Sequence, residues 1–292
     1  MTSKHLQKAA RAVIVISSHV ARGSVGNRAA VFTLEALGFP VWAVPTVILP
    51  WHPGHGPATR IVPGREQFAD LIRDLEKAPW LGEVSAVLTG YLGAPDQAEA
   101  IAGLVKTLKA RNAKALYVCD PVLGDRDGLY VPEETAVAIR DRLLPLADIA
   151  TPNRYELAWL TGHQITGTAS AIEAAQSAPP RDMLITSAPA SSPERLANLL
   201  VGRDDVLRAC HDSIPKAPNG TGDLTAALYL ARLLAGEPHA EALAKTTASV
   251  VTVLNNAAGR GSNELMLETD RQILTHPEMR IDIEQLSQPA KA

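Results

Sequence analysis

The chain has no Lys/Arg-rich block, no long apolar run and only two cysteines among its 292 residues, and each shortage removes a class of function. With 28 basic against 31 acidic side chains, a net charge of −3 and a pI near 6.2, it carries no electrostatic footprint for nucleic acid or anionic lipid. The expected partner is therefore a small molecule, with no nucleic acid and no membrane. The apolar stretch Ala12–Ile16 is far too short to cross a bilayer and follows no signal-peptide core, so the expectation is a soluble, cytoplasmic protein. Cys119 and Cys210 each end an apolar run, which suits small hydrophobes packed in strands better than a redox or metal pair. No Gly-Lys dipeptide occurs, which excludes a Walker A loop, and no His-Arg-Asp or Asp-Phe-Gly set occurs, which excludes the protein-kinase apparatus. Gly259-Arg260-Gly261 lacks a third glycine and follows a helical pattern rather than a strand, which argues against a dinucleotide fingerprint.

What is present is a β/α alternation. Short β-branched runs at Ala12–Ser17, Val41–Leu49, Val84–Thr89, Ala115–Cys119, Asp148–Ala150 and Met183–Ser187 alternate with helical periods at Asn27–Leu37, Arg65–Ala78, Asp96–Ala110, Pro132–Leu143 and Asn153–Thr161. This predicts an α/β fold with a central, mostly parallel sheet flanked by helices on both faces, and a ligand site at the carboxyl ends of the strands. Leu196–Val201 and Val206–Cys210 around Gly202-Arg203-Asp204-Asp205 predict an antiparallel hairpin at a sheet edge. Helices are then expected at Leu224–Leu234, from Pro238 to about Leu254, and near Asn263–Leu274. No repeat is visible, and residues 1–292 read as one domain with loose tails at 1–10 and about 284–292.

Four constellations carry chemistry. Gly220-Thr221-Gly222-Asp223 opens an apolar helix, and a glycine-rich turn into a helix N-terminus aims unpaired N–H groups at one point, suiting a phosphate or oxyanion. A carboxylate beside such a cradle repels the anion unless it serves as a base toward an attacking hydroxyl; the alternative is an ordinary first-turn acid complementing the helix dipole. Ser17-Ser18-His19-Val20, followed by Arg22-Gly23-Ser24-Val25-Gly26-Asn27-Arg28, ends a strand in small hydroxyls and a glycine-rich turn, a plausible pocket floor. Cys119-Asp120-Pro121 ends a strand in a carboxylate that fits either a turn or a site. Thr151-Pro152-Asn153 with Glu156 fits a capping box, or, with Asp120, an approach to a metal–phosphate chain through water.

In this order and spacing the four resemble the pyridoxal kinases of the ribokinase-like superfamily, from about Val13 to Pro277. The resemblance is carried by Ser18–Ala30 (SHVARGSVGNRAA), Leu88–Tyr91 (LTGY), Cys119–Asp125 (CDPVLGD), Tyr130–Glu133 (YVPE), Pro145–Asn153 (PLADIATPN), Thr186-Ser187 and Asn219–Asp223 (NGTGD). It implies a ribokinase-like kinase domain that phosphorylates the 5′-hydroxymethyl group of pyridoxal, pyridoxine or pyridoxamine with ATP and Mg2+, with K+ as candidate monovalent cation. Asp223 would be the base and the amides of Gly220, Thr221 and Gly222 the anion hole. Ser18, Val47, Trp51, His52, Pro53 and Tyr91 would face the vitamer. Asp120, Asn153, Glu156, Thr186, Ser187, Asn219, Thr221 and Gly222 would hold the nucleotide, and Asp120, Thr151 and Glu156 the cation. Gly124–Tyr130 would be a flap over ATP, and the family implies a homodimer.

One departure stands out. Where pyridoxal kinases commonly read VQFSNHTG, this chain has Val47-Ile48-Leu49-Pro50-Trp51-His52-Pro53-Gly54, so a threonine hydroxyl is replaced by Pro53, which has neither hydroxyl nor backbone donor. His52 and His55 also invite a metal reading, but no third ligand is in sight. The alternatives that remain are a hydroxymethylpyrimidine-type kinase and a B6-vitamer binding protein without turnover; the base in Gly-Thr-Gly-Asp speaks against the latter, because binding alone does not need one.

Overall fold

Val13-Ile14-Val15-Ile16 lacks the in-and-out alternation of a half-exposed strand because both of its faces are covered. Ile14 and Ile16 join one hydrophobic cluster and Val13 and Val15 the other. The computed structural model describes residues 11–190, 192, 194–203 and 205–287. In chain order its elements are β1 (Ala12–Val20), α1 (Asn27–Ala36), β2 (Val41–Leu49), α2 (Arg65–Lys77), β3 (Val84–Thr89), α3 (Gln97–Arg111), β4 (Leu116–Cys119), the two-residue β5 (Gly124–Asp125) and β6 (Gly128–Leu129), and α4 (Glu133–Ala138). There follow β7 (Ile149–Ala150), α5 (Arg154–Thr161), α6 (Thr168–Ser177), β8 (Asp182–Pro189), β9 (Arg195–Val201), β10 (Val206–Asp212), α7 (Thr221–Leu234), α8 (His239–Gly259), α9 (Arg271–Thr275) and β11 (Ile283–Leu286).

Nine strands form one sheet in the order β11-β10-β9-β8-β7-β4-β3-β1-β2, and β5 pairs with β6 apart from it. From β2 to β8 every pairing is parallel; from β8 to β11 every pairing is antiparallel. The parallel part needs helical crossovers, which cover both faces. Phe68, Ile72, Ile101, Leu104, Leu157 and Ile172 from α2, α3, α5 and α6 pack on one face, and Ala30, Leu34, Ala226, Leu230 and Leu243 from α1, α7 and α8 on the other. Pro45 lies in β2, an edge strand, where its missing N–H costs no ladder bond toward a further strand.

Three expectations are corrected. The tail from about 284 is not loose as far as Leu286: β11 pairs antiparallel with β10, Val206 opposite Leu286 and Ala209 opposite Ile283, because the β10 edge offers unpaired backbone groups. Residues 1–10 and 288–292 lie outside the described residues, as does Asp204 of the expected hairpin turn. The helix expected near Asn263–Leu274 is reduced to α9, since the preceding stretch is held by Asp270, which receives Arg260 at 2.7 and 2.8 Å and Asn256 at 2.9 Å. Helix α6 was not expected at all. Its buried face is Ala171, Ile172, Ala174 and Ala175, and alanine gives little hydrophobic contrast to read. Of the helix expected over Pro132–Leu143, residues 133–143 are helical with Pro132 as N-cap, and α4 gives way to a wider turn over Ile139–Leu143 before Pro145.

Candidate active site

At the carboxyl ends of the parallel strands lies a cavity of about 590 Å³. β1 supplies Ser18 and Val20, β2 Leu49, and the turns after β3, β4 and β7 supply Tyr91, Asp120, Thr151 and Asn153; β8 adds Thr186 and Ser187. The N-terminus of α7 closes it with Gly220, Thr221, Gly222 and Asp223.

Gly220 is the N-cap of α7, with a left-handed φ of +93° and no capping side chain, so no N-cap side chain takes up the N–H groups of Thr221 and Gly222, both of which line the cavity. A Cβ there would sit 2.1 Å from the Ser24 carbonyl oxygen, so only glycine lets the two loops touch. Gly222 differs: its φ is not in the left-handed region, and an added Cβ would meet nothing closer than the Asp120 Oδ2 at 3.9 Å. The conformational demand falls on Gly220, whereas Gly222 is left bare toward the cavity. Asp223 accepts its own backbone N–H and that of Gly26, and burial nonetheless pushes its pKa up to about 6. Gly26 makes that contact possible: a Cβ on it would collide with both the carbonyl and the hydroxyl of Ser18 at 2.3 Å. The start of α1 thus lies directly on Ser18 while orienting Asp223.

Asp120 is buried after β4, and its Oδ1 accepts the Thr151 hydroxyl at 2.8 Å. Burial, then the charge of Asp223, push its pKa up to about 8 against the opposing effect of that hydrogen bond. Glu156 is buried too, and of its two alternatives the capping box is formed. It completes the capping box, Oε2 accepting from Asn153 N at 2.8 Å, while Oε1 accepts from Leu123 N at 2.9 Å. Burial and the neighbouring Asp120 raise its pKa well above the usual carboxylate range. Asp120, Asp125, Glu156 and Asp223 all line the cavity, and among the described residues no lysine or arginine lines it. Among the described residues no group of three or more His, Cys, Asp or Glu side chains is arranged to hold a metal ion by itself, so a polyphosphate beside these carboxylates would have to bring its own counter-charge.

On the other side, Tyr91 is fixed from three directions: its N–H donates to Ser17 Oγ at 3.1 Å, its carbonyl accepts Thr46 Oγ1 at 2.6 Å, and its hydroxyl accepts Arg60 at 3.2 Å. His52, Pro53 and Gly54 line the cavity, with His52 Nδ1 accepting the Gly54 N–H at 3.0 Å across a 3₁₀ turn. Burial lowers the His52 pKa. Two expected residues stay away. Val47 shares the face of β2 that carries the lining residue Leu49, but is fully buried among Val20, Val25 and Leu49, which cover it from the cavity; Trp51 points out, donating to the Gly56 carbonyl at 3.3 Å. On the nucleotide side expected from sequence, Ser187 adopts φ +52° inside a bulge of β8, and Thr186 N donates to the Pro152 carbonyl at 2.9 Å, tying this lip to the turn before α5. Asn219 also lines the cavity.

Asn198, His211, Ile214, Val250 and Leu254 are among the lining residues that were not expected. Only Asn198 had a signal, a polar residue inside the apolar run Leu196–Val201; it is buried and donates to Thr247 at 2.9 Å. The rest are apolar or edge residues, indistinguishable in sequence from packing positions. Among the described residues no helix is long and apolar enough to cross a membrane.

Fold and site together define a ribokinase-like α/β enzyme that transfers phosphoryl groups to a small molecule. Residues 66–267 match the family described as phosphomethylpyrimidine kinase. The chain is 34% identical to a pyridoxal kinase of Corynebacterium diphtheriae, covering 94% of this chain and 99% of that protein, and 38% identical to one of Granulibacter bethesdensis, covering 91% and 96%. It is similar to the structure of the Leishmania donovani pyridoxal kinase in complex with ADP and pyridoxamine, with a TM-score of 0.89 at 31% identity, covering 95% of this chain and 100% of that one. The chain belongs to the pyridoxal kinase family.

Proposed function

We propose that the protein transfers the γ-phosphoryl group of ATP to the 5′-hydroxymethyl group of pyridoxal, and of pyridoxine and pyridoxamine, giving the 5′-phosphate and ADP. The observation that carries this reading is Asp223: a half-buried carboxylate whose pKa desolvation raises to about 6, in the first turn of a helix with no capping side chain, in a cavity shared with Ser18 and Tyr91. Asp223 takes the hydroxyl proton as the oxygen attacks the γ-phosphorus, the bond to ADP breaks, and the amides of Gly220, Thr221 and Gly222 hold the charge on the transferring group. Ser18, Tyr91, His52 and Pro53 face the vitamer, while Asn153, Thr186, Ser187 and Asn219 hold the nucleotide.

Asp120 and Glu156, with Thr151 orienting Asp120, would hold Mg2+ on the phosphate side, where it supplies counter-charge to the polyphosphate. K+ belongs to the same reading, since the carboxylates outnumber a single divalent ion's charge. The β5–β6 hairpin and Tyr130 act as the flap that keeps water from the transferring group. The chain works in the cytoplasm as a homodimer, for which the exposed Ile48, Trp51 and Ile61 beside the edge strand β2 form an apolar surface. Steady-state assays with pyridoxal, pyridoxine, pyridoxamine and hydroxymethylpyrimidine test the reading. A higher kcat/KM for hydroxymethylpyrimidine than for every vitamer overturns it, as does vitamer binding without ADP formation.

A further inference from the structure

We infer that Glu264 is a positioning residue for the vitamer side of the cavity: its carboxylate latches the Pro53–His55 turn to the loop that follows β1. Glu264 lies far along the chain from either segment, yet its Oε1 receives His55 Nε2 at 3.0 Å and Arg22 Nη1 at 2.7 Å. Arg22 reaches further to Asn263 Oδ1 at 3.2 Å. The carboxylate is buried, and the chain makes room for it with Gly23, at φ +100°, where a Cβ would sit 2.4 Å from Oε2. Its own backbone is fixed as well, with Glu264 N donating to Ser262 Oγ at 3.2 Å and Ser262 Oγ donating back to the Glu264 carbonyl at 2.8 Å.

The latched turn touches the cavity. Pro53 and Gly54 line it, and a Cβ on Gly54 would stand 3.3 Å from Asn219 Nδ2, one residue before the anion cradle. A three-residue 3₁₀ turn has few internal bonds to hold it, so its place is set by what grips it from behind. His55, which does not line the cavity, is that grip. The Arg22 loop leads directly to Ser24, Val25 and Gly26, which carry Gly220, Ser18 and Asp223, so the latch sets the vitamer-binding turn relative to the base. This inference rests on the reading that the vitamer lies by Ser18, His52 and Pro53.

Steady-state kinetics on the full chain test it with Glu264→Gln, His55→Ala, the double variant, and Ser18→Ala. The expected result is a pyridoxal KM raised about three- to tenfold in both single variants, with kcat and the ATP KM within about twofold of the parent and the double variant no worse than the poorer single one. A KM unchanged in Glu264→Gln and His55→Ala but raised in Ser18→Ala overturns the latch and leaves the vitamer site standing. A KM unmoved in all three overturns both. Additive effects in the double variant also overturn the latch, because the two groups then act apart, and so does a loss confined to kcat or to ATP binding. Should Glu264→Gln not fold, His55→Ala decides by itself: an unchanged pyridoxal KM overturns the inference.

Discussion

Asn153 and Glu156 cap one another at the start of α5: the Asn153 side chain accepts the Tyr155 and Glu156 N–H groups at 2.8 and 2.9 Å, and Glu156 Oε2 accepts the Asn153 N–H at 2.8 Å. With Oε1 bound to Leu123 N, one carboxylate therefore joins the turn after β4 to the turn after β7. Glu156→Ala should leave these buried donors unpaired and destabilise the protein by about 1–3 kcal/mol, visible as a Tm several degrees lower. Glu156→Gln should retain part of the network and lose less. Equal Tm values for the parent and Glu156→Ala would refute the structural role.

Asp223→Asn preserves shape and most hydrogen bonding but removes the proton acceptor. Turnover should fall by roughly 10²–10⁴ with ATP affinity and Tm nearly unchanged. Near-normal turnover assigns the base elsewhere.

The two cradle glycines should fail differently. Gly220→Ala meets the Ser24 carbonyl and a left-handed φ, so both stability and activity should drop. Gly222→Val has space in the fold but occupies the phosphate approach, so activity should collapse while the melting curve stays near that of the parent. A calorimetric scan beside an ADP-release assay separates the two.

Two pH dependences follow from the raised carboxylates. Asp223 must be ionised to accept a proton, so at saturating Mg2+ kcat/KM should rise with pH through about 6. Asp120 binds its proton more tightly folded than unfolded, so its contribution to stability is complete below about pH 4 and is lost as pH rises through about 8. The Tm of the ligand-free protein should fall over that window, less so in Asp120→Asn, and Mg2+ should raise Tm more at pH 8 than at pH 5. An equal Mg2+ effect at both values would place the ion away from Asp120.

Pro53 lines the cavity, and the resemblance to pyridoxal kinases implies a threonine in its place. Restoring the hydroxyl with Pro53→Thr should tighten pyridoxal binding by about two- to tenfold and leave ATP binding alone. Unchanged affinity together with a large loss in His52→Ala would mean that the ring is recognised by the imidazole instead. Trp51→Ala should have little effect on pyridoxal affinity, since its indole turns away from the cavity.

Most of the sheet was legible because the parallel strands are short runs rich in β-branched residues, a pattern local enough to survive in sequence: the half-exposed edge strand β2 and the fully buried β3 run as expected, at Val41–Leu49 and Val84–Thr89. The elements that escaped carry weak local signals. Helix α6 buries mainly alanines, and β11 is a four-residue exposed strand that exists because β10 has an open edge. In the site, motifs with special backbone or charge, such as Gly220–Asp223 and Asp120, stood out, while Val250 and Leu254 looked like any other helix core.

The sequence by itself determined the β/α alternation, the glycine-rich turn into an apolar helix with an acid in its first turn, the absence of competing nucleotide loops, and a proline at position 53 with neither hydroxyl nor backbone donor. These are facts of local pattern, set within a few residues. Only the tertiary structure decided which glycine bears the left-handed conformation, that Val47 is covered from the cavity and Trp51 turns away from it, that four carboxylates line it with no lysine or arginine beside them among the described residues, and that Glu264 closes on Arg22 and His55 across more than two hundred residues. Such relationships depend on how distant segments pack, and the free energy of packing is shared among contacts that no single stretch of chain contains.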